Sequence, residues 1–203
     1  MPKELDNGSA GMHKEDYPAM SVAAIDFHRW TRQEYERLAE TGFFPPDAKV
    51  ELLEGIVYDM TPQSGGHATC THLAAEALRL AFPESYLRIQ SPLALGERSE
   101  PEPDIAIVAG SPRDYSSFHP TTALLVVEVA DHSLLHDRQR KLPLYAEAGI
   151  PEAWILNLKQ KTLEIYRDPG ERGYGSRTVL RTGDFVSPLA RPDVSIAVAD
   201  LLP

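Results

Sequence analysis

Hydrophobic positions along the chain switch between a helical period and a strand period, and the punctuation between them is clear. Thr31-Arg32-Gln33-Glu34 has the form of a capping box, with Trp30 and Tyr35 spaced as a hydrophobic staple. The helix it starts is expected to run to about Thr41, where Gly42 and Pro45-Pro46 stop it. Lys49–Met60 alternates around Glu54-Gly55 and predicts a hairpin. Pro62–Gly66 reads as a flexible loop, with the glycines of Ser64-Gly65-Gly66 as a hinge. A second helix is expected over His67–Phe82: Leu73, Ala74, Ala77, Leu78 and Ala81 make its apolar stripe, and Pro83 ends it.

Four β-prone runs follow. They are Tyr86–Leu95, interrupted by Pro92, then Asp104–Val108, Ala123–Ala130 and Ala153–Leu158. The third, ALLVVEVA, is almost wholly apolar, as a central strand covered on both faces must be. Asp137–Ala148 reads as a helix closed by Gly149, with Pro143 in its first turn or at a kink. Lys161–Arg167 is the expected hairpin partner of the fourth run, and short peripheral strands are expected near Thr178–Arg181 and Val194–Val198. The order α, hairpin, α, β, β, β, α, β, β predicts an α/β (α+β) domain with a mixed β-sheet flanked by helices.

Composition narrows the class. The 203 residues are 42% hydrophobic and 25% charged, which suits one globular domain. Residues 1–19 carry no apolar period and read as a disordered tail, with Met20 a possible start and order expected from about Ile25. Residues 20–203 read as a single domain. No apolar run approaches the roughly 20 residues that cross a bilayer. Without an h-region at the N-terminus, and with Cys70 alone, the expected location is cytoplasmic and no membrane is involved. Twenty Lys and Arg against 30 Asp and Glu leave a formal charge of −10. Such a chain does not coat nucleic acid through phosphate neutralisation, although a metal held by carboxylates can still bring phosphate to it.

Two acids stand in unusual places. Asp104 opens a strand directly after Pro103, and Glu128 lies inside the most hydrophobic strand, where a carboxylate is costly unless paired or bound to a cation. Lys141 and Tyr145 follow, four residues apart and so on one helix face. Two carboxylates on neighbouring strands and a lysine suit hydrolysis assisted by Mg²⁺ or Mn²⁺. The carboxylates hold the ion, and the lysine steadies the nucleophile or the developing charge.

Pro103-Asp104 followed by Glu128-Val129-Ala130 resembles the PD-(D/E)XK nuclease signature. More closely, the chain resembles the Uma2 family (DUF820), restriction-endonuclease-like proteins. The stretches that carry the likeness are Val50–Gly55, Ser99–Asp104, Leu125–Val129, Asp137-Arg138 and Lys141–Trp154. The resemblance implies a restriction-endonuclease-like core with a helix, a sheet of about four strands and a second helix between the third and fourth. It implies Asp104 and Glu128 as metal ligands and Glu51 as a third acid. Ala130 stands where the general pattern has its lysine, so the resemblance implies Lys141, from the following helix, as the catalytic lysine. His67 and Gln90 are weaker substrate-binding candidates at the same edge.

Glu128 could be salt-bridged to Arg138 or Lys141, Asp104 could cap a loop, Lys141 could be a solvated helix lysine and Glu51 only a hairpin residue. His67 could cap its helix or touch substrate at a pocket rim. Cys70, Trp154 and Tyr145 read as core. No HExxH zinc motif, nucleophile elbow or phosphate loop is present. Three functions compete: a Mg²⁺-dependent endonuclease acting on DNA, a catalytically impaired nuclease fold that binds nucleic acid or a protein partner, and a hydrolase of small phosphate esters. A homodimer is expected, since a two-fold pair presents one site to each strand of a duplex.

Overall fold

The computed structural model describes residues 27–45 and 47–203. The expected tail, the Met20 start and the onset of order near Ile25 lie outside the described residues.

Helix α1 (Arg32–Glu40) begins at the expected capping box: Thr31 Oγ1 accepts from the Glu34 amide, and the Glu34 carboxylate accepts from the Thr31 amide. The staple rings are engaged elsewhere. Trp30 meets His28 edge-on, and Tyr35 packs on Phe44 while its hydroxyl donates to the Val50 carbonyl. Strands β1 (Val50–Leu53) and β2 (Ile56–Asp59) form the expected hairpin, with Glu54 (φ 50°) and Gly55 (φ 79°) turning it. A Cβ on Gly55 would stand 2.8 Å from that of Arg29, so this turn needs glycine for space as well as conformation.

Helix α2 (Gly65–Ala81) starts earlier than its apolar stripe does. Ser64 is the N-cap, and its hydroxyl accepts from the His67 amide. Gly65 and Gly66 are therefore the first helical turn, and the expected hinge is corrected. Strand β3 (Tyr86–Ile89) is also shorter than expected. The chain turns at Gln90 (φ 45°) ahead of Pro92, which has no N–H to offer a ladder.

A six-stranded sheet has the order β3-β4-β5-β6-β7-β8, completed by β4 (Ile105–Val108), β5 (Leu125–Ala130), β6 (Glu152–Asn157), β7 (Thr162–Gly170) and β8 (Gly173–Arg181). Only the β5–β6 pair is parallel, and the helical run Leu134–Glu147 makes that crossover. Strands β9 (Phe185–Val186) and β10 (Ile196–Ala197) pair separately. Strand β8 is thus a full nine-residue strand rather than the short piece expected near Thr178–Arg181. The crossover run is not uniform: α3 (Leu134–His136) passes into a π-helical turn (Asp137–Lys141) and then α4 (Leu142–Glu147). Pro143 lies two residues past the π turn, in the first turn of α4. Its missing N–H cannot close a regular α-helical bond, and the Leu142 amide bonds five residues back to Asp137.

Alternation along β5 divides its side chains. Leu125, Val127 and Val129 join the core under α2, with Leu78, Ile107 and Trp154. Val126 and Ala130 join the core under α4, with Ala106, Tyr145 and Ile155. Glu128 shares the parity of Val126 and Ala130, so it points to the α4 side.

Candidate active site

The register carries Asp104 and Glu128 to facing positions. Ile105 pairs with Val127 across β4 and β5, so the next step outward sets Asp104 against Glu128. Across β3 and β4, Ile89 pairs with Ile105, which sets Gln90 against Asp104, and the Gln90 amide bonds the Asp104 carbonyl at 3.1 Å. Gln90, Asp104 and Glu128 therefore stand in one row over three strands.

Each oxygen of Asp104 is held. Oδ1 accepts from Gln90 Nε2 at 3.2 Å; Oδ2 accepts from the Val129 amide at 2.8 Å and faces His67 Nε2 at 3.2 Å. Burial acts to raise the Asp104 pKa, but these contacts and the Lys141 charge outweigh it and keep the carboxyl below its usual range. Burial likewise opposes charge on His67, and Asp104, with Asp137 and Asp131 further off, holds the imidazole pKa above its ordinary value. His67 thus uses its side chain on Asp104, while Ser64 caps its amide. Ser64 also donates to Asp131 at 2.8 Å, which ties the start of α2 to the end of β5.

Lys141 lies at the centre, almost wholly buried, and the plain reading of a solvated helix lysine is corrected. Its ammonium is 3.0 Å from Glu128 Oε1 and 3.2 Å from Glu51 Oε2, and it donates to the Glu102 carbonyl at 3.2 Å. Burial works against its charge, but Glu128, Glu51, Asp137 and Asp104 more than reverse that, so it stays protonated. Glu51 Oε2 also accepts from the Glu102 amide, and Oε1 lies 3.5 Å from His136. Burial would raise the Glu51 carboxyl, yet Lys141, His136 and that amide hold it below the usual range.

Glu128 differs. Both of its polar contacts, from Lys141 and from the Tyr145 hydroxyl, fall on Oε1. Full burial, with Asp137 and Asp104 adding like charge, pushes its carboxyl up to about 8 despite Lys141. Arg138 does not reach Glu128 and pairs with Glu164.

Two participants have no site role in the sequence reading. Tyr145 belongs to the core as expected but also donates to Glu128, at the i+4 spacing from Lys141 that was visible in the sequence. Asp137 is a buried acid bonded by Ser133, one turn before Lys141, and burial raises its pKa. Its spacing to Lys141 was the available signal. His132 and His136, four residues apart, are divided between Asp131 and Glu51.

Among the described residues, no three His, Cys, Asp or Glu side chains are placed to share one ion. Two carboxylates at opposed strand positions, close enough for Asp104 to raise the Glu128 pKa and set in a cluster with more acids than cations, do suit a hard ion that keeps its waters. A cavity of about 440 Å³ opens beside the row, with Gln90, Glu102, Lys49 and Tyr35 among its lining.

A sheet with one parallel pair, a helix on each face and a carboxylate row running across its strands defines a nuclease-like fold class. The solved structure of a DUF820 protein from Anabaena variabilis ATCC 29413, described as a putative nuclease, superposes with a TM-score of 0.67 over 85% of this chain and 97% of that one, at 13% identity. The model of the Uma2 family, described as "Putative restriction endonuclease", matches residues 32–199, and the chain belongs to that family. No curated protein matches the chain at a significant level. Among the described residues no helix is long and apolar enough to cross a membrane.

Proposed function

We propose that this protein is a metal-dependent endonuclease that hydrolyses DNA phosphodiester bonds, with Asp104 and Glu128 as ligands of Mg²⁺ or Mn²⁺ and Lys141 as the catalytic lysine. The observation that carries this reading is the facing pair Asp104–Glu128 with the Lys141 ammonium 3.0 Å from Glu128. When bound, the ion supplies Lewis-acid polarisation of a phosphoryl oxygen and acidifies its water. Glu128 offers Oε2 to it, since Oε1 is already held by Lys141 and Tyr145. Gln90, His67 and the Val129 amide fix the orientation of Asp104. Glu51 is a positioning residue that anchors Lys141. Lys141, held beside Glu128, would set its ammonium against the charge that develops on the phosphoryl group.

Family membership supports a nuclease reading, and the carboxylate geometry supports its metal dependence. A two-fold dimer presenting one site to each DNA strand belongs to the same proposal; sedimentation as a 22.5 kDa species would overturn that part. The experiment is incubation of the full chain with plasmid, single-stranded DNA, RNA and a chromogenic phosphodiester, with Mg²⁺, Mn²⁺ or EDTA. Metal-dependent nicking of plasmid is expected, and none in the presence of EDTA.

One observation favours a second reading, a nuclease fold that binds without cleaving. All three Lys141 hydrogens have acceptors inside the protein, on Glu51, Glu128 and the Glu102 carbonyl. Metal-enhanced binding of DNA with no product would select it.

A further inference from the structure

The row that begins at Gln90 continues across the sheet. Glu128 pairs with Ile155 on β6, and Ile155 pairs with Glu164 on β7. Glu164 therefore faces the same side as Glu128, two strand spacings away, or about 9–10 Å. It is fully buried, with no exposed surface. Arg138 reaches it with Nε at 3.0 Å on Oε2 and Nη2 on Oε1. Tyr166 donates to Oε2 at 2.7 Å, and Arg177 Nη2 lies 3.1 Å from the same oxygen.

Arg138 alone satisfies both carboxylate oxygens in a forked pair, which is the usual way a buried acid is neutralised. Arg177 is in excess of that need. With two guanidinium groups and one carboxylate, the cluster carries one surplus positive charge in a chain whose net charge is −10. Neither arginine is submerged: the side chain of Arg138 is 32% exposed and that of Arg177 46%. The Arg177 guanidinium lies 5.9 Å from the Tyr166 ring centre, which limits where it can swing. Arg138 is also three residues from Lys141 on the π turn, so one helical segment serves both acids. A buried carboxylate that holds two half-exposed guanidiniums at fixed positions is a preorganised anion receptor.

We propose that Arg138 and Arg177, positioned by Glu164, form a second anion site that takes a flanking backbone phosphate of the nucleic acid whose scissile phosphate lies at Asp104 and Glu128. This rests on the nuclease reading above and deepens it by giving the substrate a second fixed contact away from the scissile phosphate. It also explains how so acidic a chain can hold a polyanion: the contact is local and fixed, not a broad basic field.

The test is fluorescence anisotropy of a fluorescein-labelled DNA duplex, and of its labelled single strand, with the full chain in Ca²⁺. A titration of salt is run for wild type, Arg177→Gln, Arg177→Lys, Arg138→Gln and Arg79→Gln. Arg79 is exposed in the last turn of α2, at the end away from the site, and serves as the charge control. Arg177→Gln should raise Kd about 5–10-fold and lower the salt slope by about one. Arg138→Gln should do the same, Arg177→Lys should recover part of the loss, and Arg79→Gln should change neither quantity. The melting temperature of Arg177→Gln should stay within about 2 °C of wild type, because a half-exposed ion pair adds little to stability. Wild-type affinity in Arg177→Gln overturns the proposal, as does an equal loss in Arg79→Gln. If wild type binds and cleaves while Arg177→Gln is unaffected, only this inference fails. If wild type neither binds nor cleaves DNA, the nuclease reading falls with it.

Discussion

Lys141 Nζ stands 3.0 Å from Glu128 Oε1, although 13 positions separate the two residues and the usual nuclease lysine position, two after the acid, is Ala130. Ala130 points to the same α4-side core as Glu128, so the helix that covers this face can deliver an ammonium group to the space the strand leaves empty. The π turn places Lys141 at the end of the segment that makes this delivery.

Glu128→Gln should abolish metal-dependent cleavage and raise the melting temperature in EDTA. An amide is a poor Mg²⁺ ligand, yet it fills the same volume and still bonds Tyr145. With a folded pKa of about 8, Glu128 must take up a proton when the chain folds near neutral pH, and the amide removes that cost. A gain of the order of 1 kcal/mol corresponds to about 2–4 °C for a chain of this size. Calorimetry with and without EDTA checks it; a large fall in melting temperature would make the Glu128–Lys141 contact a structural ion pair.

Lys141→Ala should move stability in the opposite direction. It leaves Glu51 and Glu128 buried without their cation, a loss of about 3–5 kcal/mol. Mg²⁺ should restore more melting temperature in this variant than in wild type, because the ion then supplies the missing charge, while cleavage stays lost. Equal Mg²⁺ shifts in both proteins would count against metal binding at Glu128.

Wild-type stability should fall as pH rises from about 4.5 to about 8. The Glu128 carboxyl has a folded pKa pushed up to about 8 by burial, above its unfolded value of 4.5. The folded state holds that proton more tightly, so the stabilisation is complete below the unfolded pKa and is lost as pH rises through the folded one. Glu100, raised to about 8 by burial and by the neighbouring Glu36, adds to the same slope. Melting curves across this window should be visibly flatter for Glu128→Gln, and an unchanged slope would argue that Glu128 is already ionised.

Ser64→Ala should cost about 1 kcal/mol, or about 2–4 °C, through the lost N-cap. It also removes the bond from α2 to Asp131, so His67 is held less firmly against Asp104. Activity should fall further than stability alone explains when measured well below the melting point. Cleavage at the wild-type rate would separate the α2 cap from the site.

Much of this was legible in local pattern. The capping box at Thr31, the turn at Glu54-Gly55, the stripe of α2 and the apolar run of β5 each follow from forces acting within a few residues. A carboxylate at Glu128 inside such a run marked itself as costly, and Asp104 and Lys141 stood out by their place in the family's order. Contacts that join distant segments were not legible. Nothing near Glu128 says that Lys141 rather than Arg138 will reach it; the crossover and its π turn decided that, sending Arg138 to Glu164 on β7. His67 was legible as a helix-start residue and a weaker substrate-binding candidate, but its partner Asp104 was set by where α2 lies on the sheet. Local sequence determines which elements form because backbone sterics and side-chain periodicity act over short range. The pairing of charges was left to the tertiary structure, because it depends on register and crossover geometry, which the whole sheet settles at once.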